Sequence, residues 1–414
     1  MSSAGQPLHL IPAEEARRIL REIVPVGTEI VPIEHAAGRV LAAPVIAPEN
    51  VPRDVLSAMD GYAVRAADVA GSTPERPVAL RLVGTILAGT TFDGELGPGE
   101  TVAIVTGGVL PVGADAVVMV ELTRASPESP DAVWIRGGTP AGGHLVHPGE
   151  DFVMGAEVLA EGRRLRPSDV AALAAFGVIV VPVFRRPRIA VFSTGSELCP
   201  PDRAPRRGQV RDSNSYVLAA EVESAGGEAV RSPVVEDDLS RLHETVARLC
   251  AENDGVILSG GSSIGPKDLT GQVLGALGAP GVLFHGIDIR PGKPTVFARV
   301  GAKPVVGMPG YPTSSMIVFE GFIRSMLARL GGEAGVADFP APVRARLGRA
   351  YEKPEAREDY LRVRLVERDG ESWAETIPGG SAAISNVLRA DGLVRVAAGR
   401  DRVELGDWVG VRLL

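Results

Sequence analysis

A chain of 414 residues exceeds one ordinary hydrophobic core, so two to four domains are expected, and 45% hydrophobic residues suffice to fill them. A net charge of −8, no basic run and only 4% aromatic residues argue against nucleic acid, whether bound as a polyanion or by base stacking. No stretch reaches the ~18 uninterrupted apolar residues of a membrane span, and the opening residues show neither a basic nor a long apolar leader region. No membrane partner is therefore expected, and the cytoplasm is the expected compartment.

Residues 12–24 carry a helical stripe of Ala13, Ala16, Ile19, Leu20 and Ile23. A Pro-punctuated, strand-like stretch follows to about residue 48. Residues 51–144 read as all-β, with short Val/Ile/Leu runs separated by turns such as Asp93-Gly94 and Gly97-Pro-Gly99. Their spacing suggests a small barrel or sandwich inserted between two halves of another domain. From residue 188 strands and helices alternate. Strands are expected at 188–192, 228–230, 256–258, 282–284, 296–298 and 305–306, and helices at 214–225, 239–251, 268–277 and 313–330. That order predicts a mostly parallel, doubly wound sheet with its ligand crevice at the strand C-terminal ends. Strand-like alternation returns after Gly331 and predicts a small β-barrel. Domain boundaries are expected at 1–48 with 145–180, 49–144, 181–331 and 332–414.

Loops after Phe192, Leu258 and Val306 should gather at that crevice. The second is the most informative: Ser259, Gly260, Gly261, Ser262, Ser263 and Gly265 open from a short apolar strand toward a helix. Glycines let backbone N–H groups turn inward, hydroxyls add donors and a helix start adds positive potential, which suits a phosphorylated ligand. Asp268 beside such a site calls for a divalent cation between carboxylate and phosphate; read alone it is equally a helix N-cap. The first loop offers Thr194, Gly195 and Ser196 as donors with Glu197 beside them. In the third, Pro309 and Pro312 stiffen the backbone and Thr313 can cap the helix. Arg290 and Lys293 place cations on a rigid Arg290-Pro-Gly-Lys-Pro294 turn. Of Asp237 and Asp238, the latter reads as an N-cap before Leu239, leaving Asp237 for chemistry. Cys199 and Cys250 form no ligand spacing and read as small buried hydrophobes. Convergence of these loops suits metal-assisted chemistry on a phosphoanhydride.

The chain resembles the MoeA and gephyrin E-domain family of molybdopterin molybdenumtransferases. The resemblance rests on Ser57-Ala-Met-Asp-Gly-Tyr-Ala63, Thr106-Gly-Gly-Val-Leu-Pro-Val-Gly-Ala-Asp115, Pro148-Gly-Glu-Asp151 and Ser193-Thr-Gly-Ser-Glu-Leu198. It continues through Ser259-Gly-Gly-Ser-Ser-Ile-Gly265, Pro291-Gly-Lys-Pro294 and Gly307-Met-Pro-Gly-Tyr-Pro312, in the family's order and over nearly the whole length. It implies an elongated, α/β plus all-β, multidomain chain that forms a homodimer, transfers molybdate-derived metal to adenylylated molybdopterin and releases AMP with Mg²⁺ assisting. By the same resemblance Glu197, Asp237 and Asp268 are the carboxylates near pyrophosphate and metal. Asp60, Thr106 and Asp151 reach the site from the second subunit, and Arg357 and Ser381 match positions associated with molybdate. Three departures stand out: Gly195-Ser-Glu-Leu198 for Gly-Asp-Glu-Leu, Pro309-Gly-Tyr-Pro312 for Pro-Gly-Asn-Pro, and Gly286 where a lysine is usual. They leave open molybdate against tungstate as the oxyanion. An interaction scaffold of the gephyrin type is the competing class, and retention of Glu197, Asp237, Asp268, Lys293 and Arg357 favours catalysis.

Overall fold

The computed structural model describes residues 10–126, 129, 131–261 and 269–414. They divide into two compact units: the chain to Ala43 with Glu161–Ala174 and Val178–Leu414, and Pro44–Ala160 with Ala175–Gly177.

The larger unit is built on a six-stranded sheet in the order Glu228–Arg231, Arg188–Ser193, Gly255–Ser259, Lys303–Met308, Val296–Val300, Pro280–His285. The first four strands are parallel. Val296–Val300 alone runs against the rest, because only Gly301 and Ala302 separate it from the next strand, and two residues allow a hairpin but no parallel crossover. The strands are apolar on both faces, and alternate residues serve opposite cores. Ile189, Val191 and Ile257 pack with the helices Ala13–Arg21 and Asn214–Ser224 and with the helical stretch 312–330. Ala190, Phe192, Val256 and Leu258 pack against Leu239–Glu252 and Leu269–Ala276. The sheet is therefore doubly wound, as the alternation of elements predicts.

Two elements depart from simple periodicity. The expected 313–330 helix is Pro312–Val318 and Arg324–Leu330 joined by a π-helical turn at Phe319–Ile323. That turn brings Glu320 to Arg324 and to Arg412 of the C-terminal barrel at 2.5 Å, and sets Gly321 against the Tyr360 ring. On Ala13–Arg21 the buried stripe includes Arg17, 2% exposed, which no hydrophobic pattern announces. Its guanidinium meets Glu358 and the Tyr360 hydroxyl and lies 4.7 Å over the Phe322 ring.

The C-terminal residues close a five-stranded barrel in the order Glu358–Arg368, Glu371–Thr376, Val343–Leu347, Trp408–Leu413, Gly392–Val396 and back to the first. Its inward residues, among them Ala345, Leu347, Val363, Ala374, Val394 and Val411, form a separate core. Ile289–Arg290 adds to the Glu358–Arg368 edge in parallel.

The smaller unit holds one six-stranded sheet, Ala116–Met119, Gly61–Val64, Glu100–Ile104, Val78–Ile86, Ala132–Ile135, Thr123–Ala125. Alternation again separates two clusters, with Val64 and Val118 in one and Ala63 and Val117 in the other. Among the described residues no helix is long and apolar enough to cross a membrane.

Candidate active site

The three loops converge as expected where the parallel strands end. They surround a pocket of about 310 Å³ lined by Ser193, Thr194, Glu197, Ser259, Gly260 and Tyr311, among others. Thr194 N donates to Ser259 O at 2.8 Å, so the first and second loops continue the pairing of their strands. Gly260 adopts φ +102°, and a Cβ there would stand 2.1 Å from the Thr194 carbonyl oxygen. Only glycine permits the two loops to lie this close. The Thr270 hydroxyl secures the turn from the far side, donating to Gly260 O at 2.9 Å.

A buried polar floor fixes the third loop. Asn214 Nδ2 donates to Ser259 Oγ at 2.7 Å and to Gly310 O at 2.9 Å. Pro309 O accepts from Ser259 Oγ at 3.2 Å and Ser315 Oγ at 2.7 Å. Asp212, almost wholly buried, accepts from the Ser193 hydroxyl at 2.7 Å and from the Ser215 hydroxyl and amide at 2.5 and 3.1 Å. Three donors to one carboxylate replace the water it gives up on burial. Sequence reasoning missed Asp212 and the site role of Asn214. The run Asp212-Ser-Asn-Ser215 at a helix start was the available signal, since such residues accept from first-turn amides. Pro309 and Pro312 bracket the turn that carries Tyr311, a residue 61% exposed at the pocket rim.

Asp237 joins this group through Thr194 Oγ1 (3.1 Å) and the Ser196 amide (3.4 Å). Glu197 lies on the same loop as Gly195, where a Cβ would approach its carboxylate to 2.8 Å. Among the described residues neither carboxylate has a cationic partner, and no three His, Cys, Asp or Glu side chains form a metal-binding group. Glu197 and Asp237 are both exposed, and Mg²⁺ takes one or two carboxylates while water and phosphate oxygens complete its shell. Ser262, Ser263 and Asp268 lie outside the described residues; Gly261, with φ +61°, is the last described residue of that loop.

Other expected site residues fall elsewhere. Arg290, Pro291 and Ser381 line a second cavity, of about 560 Å³, between the Pro291-Gly-Lys-Pro294 turn and the barrel. Arg290 pairs with the buried Asp359 at 2.9 Å, and Tyr351 donates to the same carboxylate at 2.6 Å. Gly292 at φ +115° packs the turn onto Val318 and Ile289 with no room for a Cβ. Lys293 is half-buried on this turn, its carbonyl accepting from Ile287 N at 3.0 Å. Ser381 accepts from Thr313 N at 3.3 Å through its carbonyl. Arg357 is paired with Glu355 and is not among the cavity-lining residues. In the smaller unit Asp60 accepts from the Thr106 amide at 2.7 Å and hydroxyl at 2.8 Å, and those bonds hold its carboxyl below the usual range. Asp151 is exposed on a turn whose amide donates to Val51 O at 3.0 Å. Cys199 and Cys250 are free and buried, and burial pushes the Cys250 thiol up to about 11.

A doubly wound sheet with close-packed glycine loops and a hydroxyl-lined pocket at its strand ends defines the class: an α/β small-molecule-binding protein with appended β modules. Residues 11–177 match the MoeA N-terminal region (domains I and II), 190–329 the probable molybdopterin binding domain and 344–414 the MoeA C-terminal region (domain IV). A Nostoc protein named molybdopterin molybdenumtransferase is 38% identical over 87% of this chain and 82% of its own. Molybdopterin molybdenumtransferase 2 of Mycobacterium tuberculosis is 36% identical over 86% and 88%. The crystal structure of the molybdopterin biosynthesis MoeA protein from Pyrococcus horikoshii OT3 superposes with a TM-score of 0.85 at 29% identity, covering 98% of this chain and 100% of that one. The chain belongs to the molybdopterin molybdenumtransferase (MoeA) family.

Proposed function

We propose that the chain acts in molybdenum cofactor biosynthesis as a molybdopterin molybdenumtransferase, placing molybdate-derived metal on adenylylated molybdopterin with release of AMP. The relatives' names support the transfer. The observation that carries the chemistry is the strand-end pocket, where the close Thr194–Gly260 loop contact meets Glu197 in the lining and Asp237 bonded to Thr194, two carboxylates without a cationic partner among the described residues. The loop amides and hydroxyls of Thr194, Ser196 and Gly260 are suited to orient the phosphoanhydride. Glu197 and Asp237, with Asp268, are the residues that would hold Mg²⁺. When bound, the ion neutralises charge on the phosphate oxygens as AMP leaves. Arg357, Lys293 and Ser381 are assigned to the oxyanion, molybdate or tungstate, which is substrate. Asp60, Thr106 and Asp151 are assigned to the pocket of a partner copy in a cytoplasmic homodimer.

The test supplies adenylylated molybdopterin, Mg²⁺ and equimolar molybdate and tungstate, then measures AMP and the metal content of the isolated pterin. AMP release with molybdenum on the product is expected. Tungsten in its place would keep the reaction and change the substrate; no AMP and no metal transfer would overturn the reading.

A further inference from the structure

The turn that carries Tyr311 is held firmly along its backbone and left open at its side chain. Asn214 Nδ2 bonds the carbonyl just before it, Gly310 O, and Pro309 O is held by the hydroxyls of Ser259 and Ser315. Tyr311 O accepts from Ser315 N at 3.0 Å, and Pro312 begins the helix Pro312–Val318 directly after it. Tyr311 is the most exposed aromatic residue among those described. The next two, Tyr216 and Trp408, are each 43% exposed and have arginines over their rings: Arg231 at 3.7 Å, and Arg344 and Arg346 at 5.2 and 4.6 Å. Among the described residues nothing covers the Tyr311 ring and nothing bonds its hydroxyl. It is also the only aromatic residue among those that line the strand-end pocket, and it stands where the Pro-Gly-Asn-Pro pattern has asparagine.

We propose that Tyr311 is a specificity-determining residue of this chain, its ring the platform on which a flat, amino-substituted heterocycle of the ligand stacks. The lining has two chemical parts. Thr194, Glu197 and Gly260 supply polar groups, whereas Tyr311, Pro312 and the register pair Leu198–Val210 supply apolar surface. At about 310 Å³ the pocket is at the lower end of the range of small-molecule sites, too small to enclose two ring systems joined by a phosphoanhydride. With the phosphates on the loops, a ring is left at the rim, where the exposed apolar surface is Tyr311. An aromatic side chain stacks on any heterocycle with a π-face, and tyrosine gives up only two side-chain torsions in doing so. Asparagine has no such face. The inference rests on the transferase reading, which supplies two candidate rings of this one chemistry, the adenine and the pterin of the adenylylated substrate.

Calorimetric titration of the full chain with AMP, ribose 5-phosphate and 6-hydroxymethylpterin separates ring from phosphate and one ring from the other. Tyr311→Ala should weaken the stacked ring ligand about tenfold and leave ribose 5-phosphate unchanged. Tyr311→Trp should retain the affinity, and Tyr311→Asn should match Tyr311→Ala. Loss confined to AMP assigns the platform to adenine, and loss confined to the pterin assigns it to the pterin. With adenylylated molybdopterin, Tyr311→Ala should raise KM about tenfold and lower kcat by less, because stacking remote from the reacting atoms holds ground state and transition state alike. Tyr311 is exposed, so these variants remove no buried contact. Unchanged affinity for both ring ligands with unchanged KM, or an equal loss for ribose 5-phosphate, would overturn the inference and leave the transferase reading intact. Absence of AMP release and metal transfer with Tyr311-dependent ring binding retained would overturn the transferase reading alone.

Discussion

Arg17 offers the sharpest test of what holds the larger unit together. Arg17, Glu358 and Tyr360 are 2%, 5% and 4% exposed, so the triad has essentially no water to fall back on. Arg17 Nη1 donates to Glu358 Oε2 at 3.2 Å, Nη2 reaches Tyr360 OH at 2.7 Å, and Tyr360 OH donates to Glu358 Oε1 at 2.6 Å. Arg17→Met keeps most of the volume and leaves a carboxylate buried with one phenol, which should cost about 3–5 kcal/mol. Glu358→Leu strands the guanidinium and should cost a similar amount. Arg17→Met with Glu358→Leu removes both charges and leaves only the Tyr360 hydroxyl unpartnered, a loss of about 1–3 kcal/mol. The assay is urea unfolding followed by tryptophan fluorescence in a Trp134→Phe background, because the other two tryptophans, Trp373 and Trp408, both belong to the barrel. A double variant as unstable as the sum of the single ones would show that the triad is not one coupled unit and refute the reasoning.

Glu221 should give stability a pH dependence. Burial, reinforced by neighbouring Glu320 and only partly offset by Arg324 at 2.5 Å, pushes its carboxyl from 4.5 up to about 7. The folded chain thus binds a proton that the unfolded chain has lost, so stability falls as pH rises from about 4.5 to about 7 and is level above. Glu221→Gln should flatten that slope in denaturation midpoints; an unchanged slope would assign it elsewhere. Gly260→Ala should collapse ligand binding, because its Cβ would overlap the Thr194 carbonyl, and wild-type pocket affinity would disprove the close packing of the loops. Asp212→Ala leaves the Ser193 and Ser215 hydroxyls without their acceptor and should cost about 2–4 kcal/mol by thermal unfolding, with pocket affinity falling in parallel. Glu197→Gln and Asp237→Asn should each cut Mg²⁺-dependent AMP release at least about tenfold with unchanged unfolding midpoints; wild-type rates would remove them from the metal site. Sedimentation of a fully active monomer would end the homodimer proposal.

The amino-acid sequence by itself determined the elements that depend on neighbours along the chain. Alternating apolar strands and amphipathic helices from residue 188 specify a doubly wound sheet, and such a sheet leaves its crevice at the strand ends. The loops bearing Thr194, Gly260 and Pro309 were therefore legible as one site, since local composition and chain order suffice to bring them together. The barrel too was legible, because period-two alternation reports a strand whatever it pairs with. The antiparallel direction of Val296–Val300 was not, because the strands expected at 296–298 and 305–306 leave six residues between them and the tight turn shows only in the structure. What only the tertiary structure decided are the polar groups whose meaning depends on distant partners. Arg17 sits on a helical stripe where pattern reading expects an apolar residue, and its burial is made tolerable by Glu358, 341 positions away. Asp212 and Asn214 look like helix-start residues until Ser193, Ser259 and Gly310 arrive around them. Arg357 and Arg362 are five residues apart on one segment and chemically identical. Only the closed barrel makes Arg362, and not Arg357, a lining residue of the cavity beside Arg290, because partner choice and desolvation are properties of the packed molecule and not of the local sequence.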